Sequence, residues 1–151
     1  MRFEDVTNDV NDVMKEVIDE YFHEFTSVKI KCLFDLKKRT SNGKIVLGRC
    51  QKTNDLLKHF TIDEANNGEG YHYIIYLDKL AWENIEKEDK IRLMRHELRH
   101  IYIDIDSDRN PYKLVGHDIE DFSEEIELNK DDVRWAQRVV GIVETLYDEE
   151  W

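Results

Sequence analysis

The chain has 151 residues, 40% hydrophobic and 37% charged, enough for a single domain with a proper core. Its formal charge of −12 argues against bare nucleic acid and anionic membranes as partners, because like charges repel. No apolar run reaches the roughly 18 residues of a membrane-spanning helix. Met1-Arg2-Phe3-Glu4-Asp5 lacks the apolar block of a signal peptide, so the expected location is the cytoplasm.

Phe3 to Phe25 reads as a first helix, because Val6, Val10, Val13, Val17, Tyr21 and Phe25 keep a 3-and-4 spacing. Val28, Ile30, Cys32, Phe34 and Leu36 then alternate with polar residues, the period of a half-buried strand. Ser41-Asn42-Gly43-Lys44 is a hairpin turn, and Ile45 to Cys50 is the predicted partner strand. A two-residue turn there sets Cys32 opposite Thr53 and Cys50 opposite Asp35, which is poor disulfide geometry. Both cysteines are therefore expected as reduced thiols. Thr53 to Leu57 is read as an extension of the sheet and Thr61 to Gly70 as a loop.

Tyr71 to Leu77 is rich in β-branched and aromatic residues and reads as a strand. Asp78 can cap a short helix over Lys79 to Ile85. A longer helix is expected from Glu88 to Ile105, with Ile91, Met94, Leu98, Ile101 and Ile105 as its core stripe. Pro111 and the polar residues before it end that helix. Asp118 to Leu128 and Asp131 to Tyr147 read as the last two helices, the second with Val133, Ala136, Val140, Val143 and Tyr147 as its stripe. The order of elements is α+β.

The longer helix carries His96-Glu97-Leu98-Arg99-His100, of the form H-E-x-x-H. At about 100° per residue the two histidines lie about 40° apart on one face, away from the core stripe. Two imidazoles so placed can bind one zinc ion, and Glu97 beside them can take a proton from a water that the metal activates. The implied chemistry is zinc-assisted hydrolysis of a peptide bond. A catalytic site needs a third protein ligand. Gly116-His117-Asp118-Ile119-Glu120 offers His117 first, with Glu120 as its rival. His23, His59 and His72 fall outside ligand spacing. Asp104, one turn past His100, is a candidate to orient an imidazole. Tyr71, Tyr73, Tyr102 and Tyr112 are candidate donors to the transition state, and Tyr71 to Leu77 is a candidate strand for pairing with an extended peptide. Arg92, Arg95 and Arg99 share another helix face, expected to be solvated or paired with acids.

The chain resembles the phage-type zinc metallopeptidases, which are similar to the SprT-like zincins. The resemblance rests on Tyr73-Ile74-Ile75-Tyr76-Leu77-Asp78, Ala81-Trp82, His96-Glu97-Leu98-Arg99-His100 and Gly116 to Phe122, and covers about Val28 to Phe122. It implies that residues 1–151 form a single minimal zincin-like domain. The expected fold is a short, mainly antiparallel sheet, its edge strand beside the metal helix, with helices at both ends. It implies His96, His100 and His117 as zinc ligands, Glu97 as the base and a phage or prophage setting. Arg99 stands where SprT-like members often have Cys. The resulting expectation is a zinc endopeptidase acting on protein or peptide substrates. The alternative is a non-catalytic, zinc-stabilised acidic protein that binds a host protein; an intact Glu97 favours the enzyme.

Overall fold

The computed structural model describes residues 1–107, 110–116 and 123–149. The chain opens with a short strand, β1 (Phe3–Asp5), and then α1 (Asn8–Tyr21). The first residues do not join the helix as their spacing predicts. They pair antiparallel with β2 (Ile30–Asp35), Phe3 opposite Asp35, and the Phe3 ring lies 5.1 Å from that of Tyr76. Thr7 takes the extended backbone of an N-cap, and α1 buries Val10, Val13 and Val17.

The Asn-Gly turn forms as read. Asn42 and Gly43 have φ of 52° and 78°, the left-handed pair that a type I′ hairpin requires. They join β3 (Thr40–Ser41) to β4 (Lys44–Ile45) with Thr40 opposite Ile45. Beyond the tip the arms separate. After β5 (Gly48–Lys52) comes α2 (Asp55–Ala65), where the sequence suggests more sheet as far as Leu57 and a loop from Thr61. Asn54 starts the helix by accepting a hydrogen bond from the Leu57 N–H. Next comes β6 (Tyr73–Asp78), which inserts between β2 and β5. It runs parallel to β2 and antiparallel to β5, so the sheet order is β1-β2-β6-β5. The expected direct pairing of β2 with β5 is thus replaced, and Ile75 faces both Cys32 and Cys50. Tyr73, Ile74, Ile75 and Leu77 are all buried, and a strand apolar on both faces belongs in a sheet's interior. Both cysteines are free thiols, as expected.

Asp78 caps α3 (Lys79–Asn84) as read, accepting from the Ala81 N–H at 2.8 Å. The metal-motif helix, α4 (Lys87–Leu98), stops short of the expected Ile105. Ile101, Tyr102 and Ile103 instead form β7 (Ile101–Ile103), which pairs with β8 (Tyr112–Leu114). Two β-branched residues around a tyrosine favour that state once a partner strand is present. Met94, Leu98 and Ile101 are buried as the stripe predicts, whereas Ile105 is exposed. Next in order are α5 (Ser123–Leu128) and α6 (Trp135–Glu149). The earlier start expected for α5, at Asp118, lies outside the described residues. On α6 the buried face is Trp135, Val139, Val143 and Tyr147; Val133 lies before the helix and is exposed.

The core is one hydrophobic cluster drawn from α1, the sheet, α3, α4 and α6. The architecture is α+β, a short and mostly antiparallel sheet with α4 against its β5 edge and helices at both ends, consistent with a small zincin-like fold. Among the described residues no helix is long and apolar enough to cross a membrane.

Candidate metal centre

Helix α4 is held in place by its arginines. Arg95 Nε and Arg99 Nε both donate to Glu125, at 2.9 and 3.0 Å, and Glu125 is fully buried between them. Their guanidinium groups also lie over the rings of Tyr21 and Phe22, at 4.9 and 4.6 Å. Arg92 pairs with Asp89 at 2.9 Å and with Asp131 at 2.6 Å. Burial would raise the Asp89 pKa, but hydrogen bonds from Arg138 and Arg92 outweigh it and hold the carboxyl below its ordinary value. The arginine face is therefore paired with acids, one of its two expected states.

The neighbouring face of α4 carries the motif. His96 sits in the last turn. The helix ends at Leu98, Arg99 keeps an α-helical backbone, and the His100 N–H donates to the Glu97 carbonyl at 3.2 Å. One further tight turn thus brings His100 round beside His96, although His100 lies outside the helix. The two rings are 5.6 Å apart at 77°, and His96, Glu97 and His100 each offer a ligand atom within 4.8 Å of the others. His100 Nδ1 lies 2.7 Å from the Val115 carbonyl. A carbonyl only accepts, so Nδ1 carries the proton and Nε2 presents its lone pair. The Val115 N–H donates back to the His100 carbonyl at 2.8 Å, which ties the ring to the end of β8. Backbone just past β8 thus does what was considered for Asp104, whose carboxylate turns to the Asp106 N–H.

Glu97 is 3% exposed. It packs on Gly48, where a Cβ would stand 3.3 Å from Glu97 Cγ and Cδ and 3.2 Å from the Tyr76 carbonyl. A cleft of about 440 Å³ opens beside it, bounded by Leu47, Gly48, Leu93, His96, Trp135 and Ala136 among others.

Over residues 1–148 the chain matches the family described as "putative phage metallopeptidase". The chain belongs to that family. A search of curated proteins and one of solved structures returned no match. A metallopeptidase family implies a metal and a protein or peptide substrate. The match is longer than the stretch from Val28 to Phe122 and takes in α1 and most of α6.

For a phage metallopeptidase, the remaining sequence candidates divide clearly. His117 and Glu120, the two choices for a third ligand, lie outside the described residues. His72 is buried: its Nδ1 accepts from the Lys29 N–H, its Nε2 meets Glu69 at 2.7 Å, and its ring stacks on Tyr112 at 3.8 Å. It is an ordinary structural residue. Tyr73 donates to the Lys113 carbonyl, and neither it nor Tyr71, Tyr102 or Tyr112 lines the cleft. The strand pairing suggested for Tyr71 to Leu77 is taken up inside the protein, because β6 already has a partner on each side. The strand beside α4 is β5. Gly48 and Val115 escaped the sequence reading; one acts through the lack of a side chain, the other through backbone.

Proposed function

We propose that this phage metallopeptidase is a zinc-dependent endopeptidase in which His96, His100 and His117 hold the ion and Glu97 is the general base. The observation that carries the reading is the convergence of His96, Glu97 and His100 to within 4.8 Å beside a cleft. The nitrogen donor set suits zinc, and the Val115 carbonyl fixes the His100 tautomer that a ligand needs. When bound, zinc supplies Lewis acidity, which polarises a scissile carbonyl and lowers the pKa of water to about 7. His96 and His100 would hold that ion, His96 from the wall of the cleft. Glu97, held against Gly48, takes the proton of the attacking water and returns it to the leaving amine. The reading extends to one zincin-like domain over the whole chain, working in a reducing cytoplasm where Cys32 and Cys50 stay thiols. Burial pushes the Cys32 thiol up to about 12, which keeps it protonated and inert.

The test is metal analysis of the purified protein together with cleavage of a peptide library, with Glu97→Gln run alongside. Stoichiometric zinc and cleavage that Glu97→Gln abolishes support the reading. Stoichiometric zinc with no cleavage of any peptide would favour a non-catalytic, zinc-stabilised binding protein.

A further inference from the structure

The β7–β8 hairpin continues straight from His100. Ile101 lies opposite Leu114, Tyr102 opposite Lys113 and Ile103 opposite Tyr112. At its far end the Asp104 N–H donates to the Pro111 carbonyl at 2.7 Å, and at its near end the Val115 N–H donates to the His100 carbonyl at 2.8 Å. Bonded and non-bonded pairs alternate along an antiparallel ladder, so His100 and Val115 stand where each should bond the other through both backbone groups. One half of that exchange is altered. The His100 N–H has turned back to the Glu97 carbonyl at 3.2 Å, and Nδ1 of the imidazole meets the Val115 carbonyl in its place, at 2.7 Å. The imidazole is thus the last rung of the ladder, and its aim depends on where β8 lies.

A two-stranded hairpin is marginal in water on its own, so the place of β8 has to be fixed from outside. Tyr73 reaches it from the four-stranded sheet. This residue is fully buried on β6, and its O–H donates at 2.9 Å to the carbonyl of Lys113, two residues before Val115. The Tyr112 ring, also on β8, stands edge-on to the Tyr73 ring at 6.1 Å. Ladder alternation gives the Lys113 carbonyl a second donor, the Tyr102 N–H. Removing the Tyr73 hydroxyl therefore leaves no orphaned acceptor, and a phenylalanine there keeps the ring in the core.

We propose that Tyr73 is a positioning residue of the metal centre: its hydroxyl anchors β8 and, through Lys113 and Val115, sets the tautomer and aim of His100. The proposal rests on the assignment of His100 as a metal ligand. Tyr73 lines no part of the cleft, and its influence runs through backbone.

The test is Tyr73→Phe in the full chain, with two readouts. The first is the tautomer of His100 in metal-free protein, read from the imidazole nitrogen shifts in NMR at a pH where the ring is neutral. Wild type should show the proton on Nδ1, and the variant a mixture of Nδ1–H and Nε2–H. The second is zinc affinity against a competing chelator, which should fall roughly ten-fold, the low end for a group behind a ligand. Tyr147→Phe is the control. It removes another buried hydroxyl, the donor to Asp78 at the opposite end of β6, and should leave both readouts unchanged. A parent-like tautomer or parent-like zinc affinity in Tyr73→Phe would overturn the proposal. Equal losses in the two variants would also overturn it, because general stability would then be what is read. Failure of the zinc reading looks different: wild type would bind no zinc, and the tautomer alone would still decide whether Tyr73 anchors His100.

Discussion

Glu97 is more deeply buried than the histidine before it, with side-chain exposures of 4% and 18%. A base in that position has little freedom, and its aim depends on what lies behind it. Glu97→Gln should retain zinc, because the residue is assigned as base and not ligand, and should lose most hydrolysis; zinc content and kcat measured on one preparation check both. A variant that loses its zinc would make Glu97 a ligand. Gly48→Ala puts a methyl where the Glu97 side chain packs, and a few tenths of an ångström of displacement should lower kcat roughly ten-fold with zinc content unchanged. An unaltered kcat would show that Glu97 needs no such support. For the third ligand, titration against a competing chelator should show His117→Ala losing affinity by a large factor, and Glu120→Ala by at most about 10–100-fold. The reverse order would move the ligand to Glu120. At this scale the sequence was legible where side chains carry the chemistry, as in His96, Glu97 and His100. It was silent where backbone does, as with the Val115 carbonyl on His100, because a carbonyl has no letter of its own.

Helix α4 is fastened to its surroundings by charge as much as by apolar packing. Asp89 bonds Arg92 and Arg138 in a buried position. Its carboxyl has a lower pKa folded than unfolded. The stability it contributes is therefore fully present above the unfolded value of 3.8 and lost as pH falls through the folded one. Asp89→Asn should destabilise the protein at neutral pH by about 3 kcal/mol, the low end for a broken buried pair because Arg138 is partly exposed. Urea denaturation at several pH values checks this: the gap between variant and wild type should begin to narrow below about pH 4 and go on shrinking as the pH falls through the folded pKa. A gap that stays constant over that whole range would mean packing, not charge, is what the substitution removes. The elements themselves were legible where one cause acts alone. The Asp78 cap and the Asn42-Gly43 turn are local, and both formed as read. Phe3–Asp5 and Ile101–Ile103 continue a helical spacing, yet both become strands because β2 and β8 lie alongside them. Pairing over that distance leaves no local trace in the letters.

For the molecule as a whole, the proposed ligands are drawn from α4, the turn after it and the sequence beyond β8. Binding that exists only in the folded state adds to stability, about 2.7 kcal/mol at a hundred-fold excess over Kd. Chelation should then lower Tm by about 5–10 °C, measured calorimetrically with zinc content verified before and after. An unchanged Tm would mean that the ion is not bound across the fold. The α+β class was legible from the alternation of strand and helix patterns, but the order of the sheet was not. The Asn-Gly turn suggests that β2 and β5 are neighbours, and only the two-sided burial of β6 explains why they are not. That insertion bears on how the chain reaches its native state. β6 is made after both strands that it separates, so the sheet cannot zip outward from the hairpin tip. Ile30 must find Tyr73 across a long loop, and such non-local pairing is slow to form. Without β6 between them, β2 and β5 would each present an unpaired edge, open to wrong pairing and to neighbouring chains. The interior strand makes refolding a race between insertion and association, and dilution should favour insertion.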